Sequence, residues 1–146
     1  MPTLETTHFL LTLADDWQPV ESDDPDRFIF ESDRRDTSLT LSLMRMEATF
    51  EDLPEIADSF VQSRIDAHYT NAQEHGWLFE MAEPQVFDRE FGQVVVYHGR
   101  LMAGGQFGFT GLVLPTGVIS IFVESDTASE QALSETLSEI AGGMEI

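Results

Sequence analysis

The fold is decided by the stretch GQVVVYHGRLMAGGQFGFTGLVLPTGVISIFVE, residues 92–124. It holds three runs of β-branched and aromatic residues, separated by Gly104-Gly105 and by Pro115-Thr116-Gly117. Such runs bounded by turn residues predict strands joined as hairpins. Connections this short cannot form a parallel crossover, so we expect the three strands to pair antiparallel. The predicted strands are Gln93–Leu101, Gln106–Val113 and Val118–Glu124.

Four more strands are predicted outside this stretch, because apolar and polar residues alternate there. Strict alternation indicates a strand with one buried face; Leu39, Leu41 and Leu43, for example, share one face of such a run. The predicted strands are His8–Leu13, Arg27–Ser32, Ser38–Met46 and Leu78–Phe87.

Two segments show helical spacing instead. Apolar residues recur every three or four positions from about Leu53 to Asn71, which predicts an amphipathic helix with Thr49 as its N-terminal cap. A second helix is predicted over roughly Ala128 to Ala141, because Gly142-Gly143 follows it. Ser125 or Thr127 is the expected cap of this second helix.

The element order is therefore βββ-α-ββββ-α. Few helices among antiparallel strands indicate an α+β fold. We predict a twisted, mainly antiparallel sheet of about six to seven strands, covered by two main helices. The length of 146 residues fits a single domain spanning residues 1–146.

The charge balance is strongly acidic. The chain has 27 Asp and Glu against 7 basic residues, a formal net charge of −20, and all seven basic residues are Arg. Such a surface repels nucleic acid and anionic membranes and attracts a basic protein partner. Solubility, or adaptation of the whole proteome to salt, is the alternative explanation.

Missing residue types exclude several chemistries. The chain has no Cys and no Lys, which excludes disulfides, thiolate nucleophiles, Schiff-base lysines and the P-loop motif. The N-terminus has no basic region followed by an apolar run, and no stretch has the roughly 20 apolar residues of a membrane span. We expect a cytoplasmic protein that does not insert into membranes.

Four pieces of the sequence carry a resemblance to a known fold. They are FLLTLADDW at 9–17, FVQSR at 60–64, VVVY at 94–97 and VISIFVE at 118–124. Their order resembles the PsbP-like fold, which DcrB-type bacterial proteins share. Within it, the chain is similar to small bacterial proteins associated with type VI secretion, including the Eag chaperones that hold an effector's hydrophobic N-terminal segment. The resemblance implies a protein-binding role without catalytic residues.

No motif in the chain indicates an active site, a cofactor or a metal. His68 and His75 are seven residues apart, which is wider than a helical zinc pair, and no third ligand is evident. The acidic run ESDDPD at 21–26 lacks the glycine of an EF-hand loop. We therefore predict no catalytic residues, no cofactor and no metal. A hydrolase that uses two of the many carboxylates stays an alternative.

Two groups of residues are candidates for binding a partner. Phe107 and Phe109 alternate with small or polar residues, so one side of their strand is aromatic; it either faces the core helix or forms part of an apolar platform for a partner. Asp23, Asp24, Asp26 and Glu31 are the acidic candidates.

The leading hypothesis is an immunity-type protein that neutralises a cognate toxin through these acids. The alternative is an Eag-like chaperone with a large apolar groove.

Overall fold

A computed structural model describes residues 2–146 of the chain. It contains two α-helices, α1 (Leu53–His75) and α2 (Glu130–Gly142), and a short 3₁₀ turn, Phe50–Asp52, leads into α1. The strands are β1 (Thr3–Glu5), β2 (Leu10–Thr12), β3 (Gln18–Val20), β4 (Arg27–Ser32), β5 (Thr37–Arg45), β6 (Phe79–Met81), β7 (Gln85–Arg89), β8 (Gly92–Leu101), β9 (Gln106–Leu114), β10 (Gly117–Ser125) and β11 (Met144–Glu145). The α+β prediction is confirmed.

Eight strands form the main sheet, in the order β3-β4-β5-β10-β9-β8-β6, with β7 also paired to β8. All of these pairs are antiparallel. The hairpins predicted from residues 92–124 are present, because β8 pairs with β9 and β9 with β10.

The strands differ from the predictions in several places, and β1 and β11 were not predicted. The predicted strand Leu78–Phe87 is broken into β6 and β7, because Pro84 interrupts the run between them. β3 follows the Asp15–Trp17 turn as an additional edge strand. The predicted strand His8–Leu13 is shortened to β2, which pairs with β1 and β11 in a separate three-stranded sheet.

The two helices lie on opposite faces of the main sheet. Phe107 and Phe109 on β9 point toward α1, where His68 and Phe60 contact them. Between them, Gly108 points the other way, toward Leu137 of α2. Each face has its own hydrophobic cluster: β8, β9 and α1 build one, whereas β5, β10, α2 and the second sheet build the other.

Two glycines let both helices approach β9 closely. A Cβ on Gly108 would lie 2.7 Å from Leu137 Cδ1, and one on Gly111 would lie 2.9 Å from the Phe109 ring and 3.3 Å from the Phe60 ring. Gly104 and Gly105, which the sequence predicted to separate two strands, lie in the turn between β8 and β9 with φ of 119° and 100°. Gly108 and Gly111 lie within β9.

The helix ends differ in part from the expected caps. α1 continues to His75 and ends at Gly76, whose φ of 69° is left-handed. Thr49 makes no side-chain cap bond to the backbone; its hydroxyl donates to Asp52 Oδ2 at 2.9 Å. Ser129 caps α2 by accepting a hydrogen bond from the Ala132 N–H, so the caps expected at Ser125 or Thr127 are wrong.

Arg35 ties three separate segments together. Its guanidinium contacts Asp16 Oδ2 at 2.7 Å and Glu139 Oε2 at 2.7 Å, and it lies 5.3 Å from the centre of the Trp17 ring. The side chains of Arg35 and Asp16 are only 14% and 13% exposed. Hydrogen bonding to Arg35 holds the pKa of Asp16 well below its usual range. The β2–β3 loop, the β4–β5 turn and α2 are thereby joined.

Replacing Arg35 by Ala should lower the free energy of unfolding by about 2–3 kcal/mol, because Asp16 then stays largely buried without its partner. Urea unfolding at pH 7 measures this difference. Arg34→Ala, at the exposed neighbouring position, is the matched control and should change stability by less than about 0.5 kcal/mol.

The Arg35 effect should also depend on pH. Hydrogen bonding to Arg35 holds the folded-state pKa of Asp16 well below its ordinary value of 3.8, so its contribution to stability is complete above about pH 4 and is lost as the pH falls further. The stability difference between wild type and Arg35→Ala should therefore narrow below pH 4. A difference that stays constant down to pH 2 would contradict this account.

Candidate binding surface

One half of the sheet face that carries α1 has no helix over it. On β4 and β5 the larger apolar side chains, such as Phe30 and Leu41, point into the α2 cluster. The residues between them therefore point to the α1 side. Along the described chain, β3, β4 and β5 contribute no residue to the α1 cluster. We call this surface the open half-face; it consists of Gln18, Val20, Arg27, Ile29, Glu31, Ser38, Thr40, Ser42, Ser120, Phe122 and Glu124.

An acidic cleft lies at one end of the open half-face. It has a volume of about 400 Å³ and is bounded by the β4–β5 turn, the start of β9 and the end of β10. No Arg or His from residues 2–146 lines it. Five carboxylates line the acidic cleft: Glu31, Asp33, Asp36, Glu124 and Asp126.

Hydrogen bonds around Asp36 fix the shape of the cleft. Asp36 has a left-handed φ of 49°, and its carbonyl oxygen accepts a hydrogen bond from Ser125 Oγ at 2.5 Å. The same Ser125 Oγ accepts from the N–H groups of Thr127 and Ala128. The Thr127 hydroxyl donates to Asp36 Oδ2 at 2.6 Å. The β4–β5 turn is thereby tied to the end of β10.

Electrostatics in the cleft favour a cation. Burial, and then the nearby charge of Asp126, raise the pKa of Glu124 above its ordinary value. A cationic group placed beside Glu124 would favour its charged form. The arrangement can therefore hold an arginine or lysine side chain of another molecule.

The structure separates the four predicted acidic residues. Glu31 lines the acidic cleft. Asp23, Asp24 and Asp26 lie in the β3–β4 turn, outside the cleft lining. Asp26 pairs with Arg45 at 2.6 Å, and Asp24 Oδ1 accepts a hydrogen bond from the Asp26 N–H at 2.9 Å. Two of the three acids in this turn, Asp24 and Asp26, therefore already make contacts within the protein.

Phe107 and Phe109 face the core helix, which was one of the two interpretations of their strand. Phe109 is fully buried and Phe107 is 8% exposed. The Phe109 ring lies 4.7 Å from Tyr97, and the Phe107 ring lies 4.9 Å from His68. Only Phe107 also reaches the lining of the acidic cleft. With α1 in place, Phe109 is not accessible to a partner.

Three polar side chains, Arg64, His68 and Tyr97, contact one another between α1 and the sheet. The Tyr97 hydroxyl is 2.8 Å from His68 Nε2 and accepts a hydrogen bond from Arg64 Nε at 3.2 Å. Burial, with a smaller effect of Arg64, lowers the pKa of His68 to about 4. Burial raises the pKa of Tyr97. These contacts attach α1 to β8.

The described histidines do not converge on a metal. His75 stacks on Trp77, far from the Tyr97 contact of His68, and His98 pairs with Glu130 at 2.8 Å. Across residues 2–146, no group of three or more His, Asp or Glu side chains is placed to share a metal ion. Within the same range, no helix has the length and apolar character that crossing a bilayer requires.

Comparison with solved structures identifies the fold. The solution structure of cyanobacterial PsbP (CyanoP) from Synechocystis sp. PCC 6803 superimposes with a TM-score of 0.70, covering 99% of this chain and 91% of that one. The chain has the PsbP-like fold. At 12% identity, the likeness to PsbP concerns the fold alone. No family model and no curated protein sequence matches the chain.

His68 should make the protein less stable in mild acid. Its pKa falls from 6.5 to about 4 on folding, so the unfolded chain binds a proton first and stability declines as the pH drops through this window. The free energy of unfolding should fall by about 2 kcal/mol between pH 7 and pH 5. In His68→Phe, which keeps an aromatic ring, this decline should largely disappear.

Urea unfolding at several pH values measures this decline. His75→Phe, at an exposed position of the same helix, is the control and should follow the wild-type profile. Equal slopes for wild type and His68→Phe between pH 7 and pH 5 would show that His68 does not govern acid stability.

Proposed function

We propose that this protein is a cytoplasmic immunity-type protein that neutralises a cognate toxin of a type VI secretion system by binding its basic surface, without catalysing a reaction. The observation that supports this proposal is the acidic cleft, whose lining among residues 2–146 holds five carboxylates and no cationic side chain. The net charge of −20 adds a long-range attraction for a basic partner. Opposite potentials on two proteins raise their association rate and disfavour other partners.

The cleft suits this role better than the other acidic sites of the molecule. Asp16 and Glu139 already share the charge of Arg35, and Asp26 already pairs with Arg45. In the described chain, no ion pair with an Arg involves the five cleft carboxylates. A cationic side chain of a partner would lie within reach of several carboxylates at once, and such a charge network stabilises more than a single exposed ion pair does.

The alternative proposal, a chaperone for a hydrophobic effector segment, has one observation in its favour. Large apolar side chains are exposed where α1 ends and β6 begins. Met102 lies beside them, because its N–H donates a hydrogen bond to the Leu78 carbonyl oxygen at 2.8 Å. Their exposed fractions are 58% for Tyr69, 45% for Trp77, 77% for Leu78 and 54% for Met102. Apolar contacts persist in high salt, whereas exposed charge pairs are screened.

The test of the immunity proposal neutralises the cleft. The candidate toxin in this test is the product of the gene adjacent to the one that encodes this protein. Glu31→Gln, Glu124→Gln and Asp126→Asn, combined in one variant, should weaken binding to this adjacent gene product by about 10- to 100-fold at low salt. Wild-type association should slow by about tenfold between about 0.05 and about 0.5 M NaCl. Surface plasmon resonance measures both effects.

The matched control removes three charges from the exposed side of α1. Glu55→Gln, Asp58→Asn and Glu74→Gln, combined, should weaken binding by less than about threefold. Absence of binding by the wild type at either salt concentration would refute the immunity proposal. Equal loss in the cleft and control variants would remove the cleft as the binding site.

A further inference from the structure

The open half-face has the width of a single helix. It runs across four strands, from β3 to β10, which at a strand spacing of about 4.8 Å gives about 14 Å. An α-helix with its side chains is about 10 Å in diameter. On β5 it extends from Ser38 to Ser42, so the surface is about 14 Å long and can accommodate about two to three helical turns. On the same face, α1 already packs over β8 and β9.

Strand register arranges the chemistry of this surface in three rows. At one end, Glu31, Ser38 and Glu124 are adjacent across β4, β5 and β10. The middle row is the most apolar, with Ile29 beside Thr40 and Thr40 beside Phe122. At the other end, Arg27, Ser42 and Ser120 are adjacent. A helix laid along the strands would therefore meet acid at one end and apolar groups in its centre.

Phe122 joins the open half-face to the core. On one side its ring stacks with Phe107, at 5.9 Å, and with His68, at 6.2 Å. It is only partly buried, and its neighbour on the β5 side is the small side chain of Thr40. A helix beside α1 would cover this ring and extend the α1 cluster.

We propose that the open half-face binds one amphipathic helix of a basic partner protein, placed beside α1 with its cationic end in the acidic cleft. This inference rests on the proposed function and specifies the part of the partner that is recognised. Charge complementarity selects the occupant. A second copy of this chain would bring together two chains that each have a net charge of −20, and a membrane-spanning segment would bury hydroxyls and carboxylates against an apolar helix.

The test uses a synthetic probe, so that it does not depend on identifying the natural partner. The probe is a peptide of about 18 residues, with leucines at helical i, i+3, i+4 spacing and lysines at one end. Its control is a peptide of the same composition whose leucines are spread around the helix. The wild-type chain should bind the probe at least about tenfold more tightly than the control, because only the probe forms an apolar stripe.

Two substitutions that add the same charge locate the docking surface. Thr40→Lys, in the centre of the open half-face, should weaken binding of the probe by at least about tenfold. Thr70→Lys, on the exposed side of α1, should weaken it by less than about threefold. Circular dichroism and urea unfolding show that each variant folds. Failure of the wild type to bind the probe, or equal binding by both variants, would overturn the inference.

The absence of cysteine from the chain allows a second, independent readout. A polarity-sensitive dye attached at Ser42→Cys should shift its emission to the blue when the probe binds, whereas the same dye at Ser63→Cys on α1 should not. A shift at Ser63→Cys alone would overturn the inference. Sedimentation of the free chain as a dimer that Thr40→Lys dissociates would assign the surface to a second copy instead.

Wild type that binds the probe but not the adjacent gene product would refute the immunity proposal and leave the docking surface in place. Equal binding of the adjacent gene product by wild type and by Thr40→Lys would leave the immunity proposal in place and refute the docking surface.

Discussion

The structure depends on the close approach of two helices to opposite faces of one strand. β9 lies between α1 and α2, and Gly108 and Gly111 leave the space that Leu137 and Phe60 occupy. Each helix therefore covers the centre of an eight-stranded sheet that is wider than one helix. On the α2 face the second sheet supplies Phe9, Leu11 and Leu13 to complete the cover. On the α1 face no second element does so among residues 2–146, and the open half-face results.

The alternation of residues and the short turns predicted those strand pairings that join neighbouring segments of the sequence. β8, β9 and β10 follow one another through short turns, so their order and antiparallel pairing could be inferred from residues 92–124 alone. The pairing of β2 with β11 joins residues from both ends of the chain, and no neighbouring residues indicate it. Alternation in His8–Leu13 predicted a strand correctly but could not show which sheet it joins.

The same reasoning explains why only part of the candidate site was found. Glu31 stood out in an acidic segment, whereas Asp33, Asp36, Glu124 and Asp126 were missed. Their cleft exists because β5 pairs with β10, and the Ser125 to Asp36 hydrogen bond spans 89 residues of sequence. Phe107 and Phe109 were ambiguous for a related reason, since an alternating strand looks alike whether or not a helix covers it. Antiparallel pairing of the predicted strands Ser38–Met46 and Val118–Glu124 would bring Glu124 near Ser38, but local pattern does not set the register that makes them adjacent.

The short edges of the main sheet have a consequence for the free protein in solution. β3, at one edge, has three residues and includes Pro19, which lacks an N–H donor; at the other edge, β6 has three residues and is separated from β7 by Pro84. Neither edge presents a long, unbroken ladder on which another chain could template β-structure. Fibril growth by strand addition is thereby disfavoured, and an uncovered, partly apolar sheet surface can persist in the free chain without seeding aggregates.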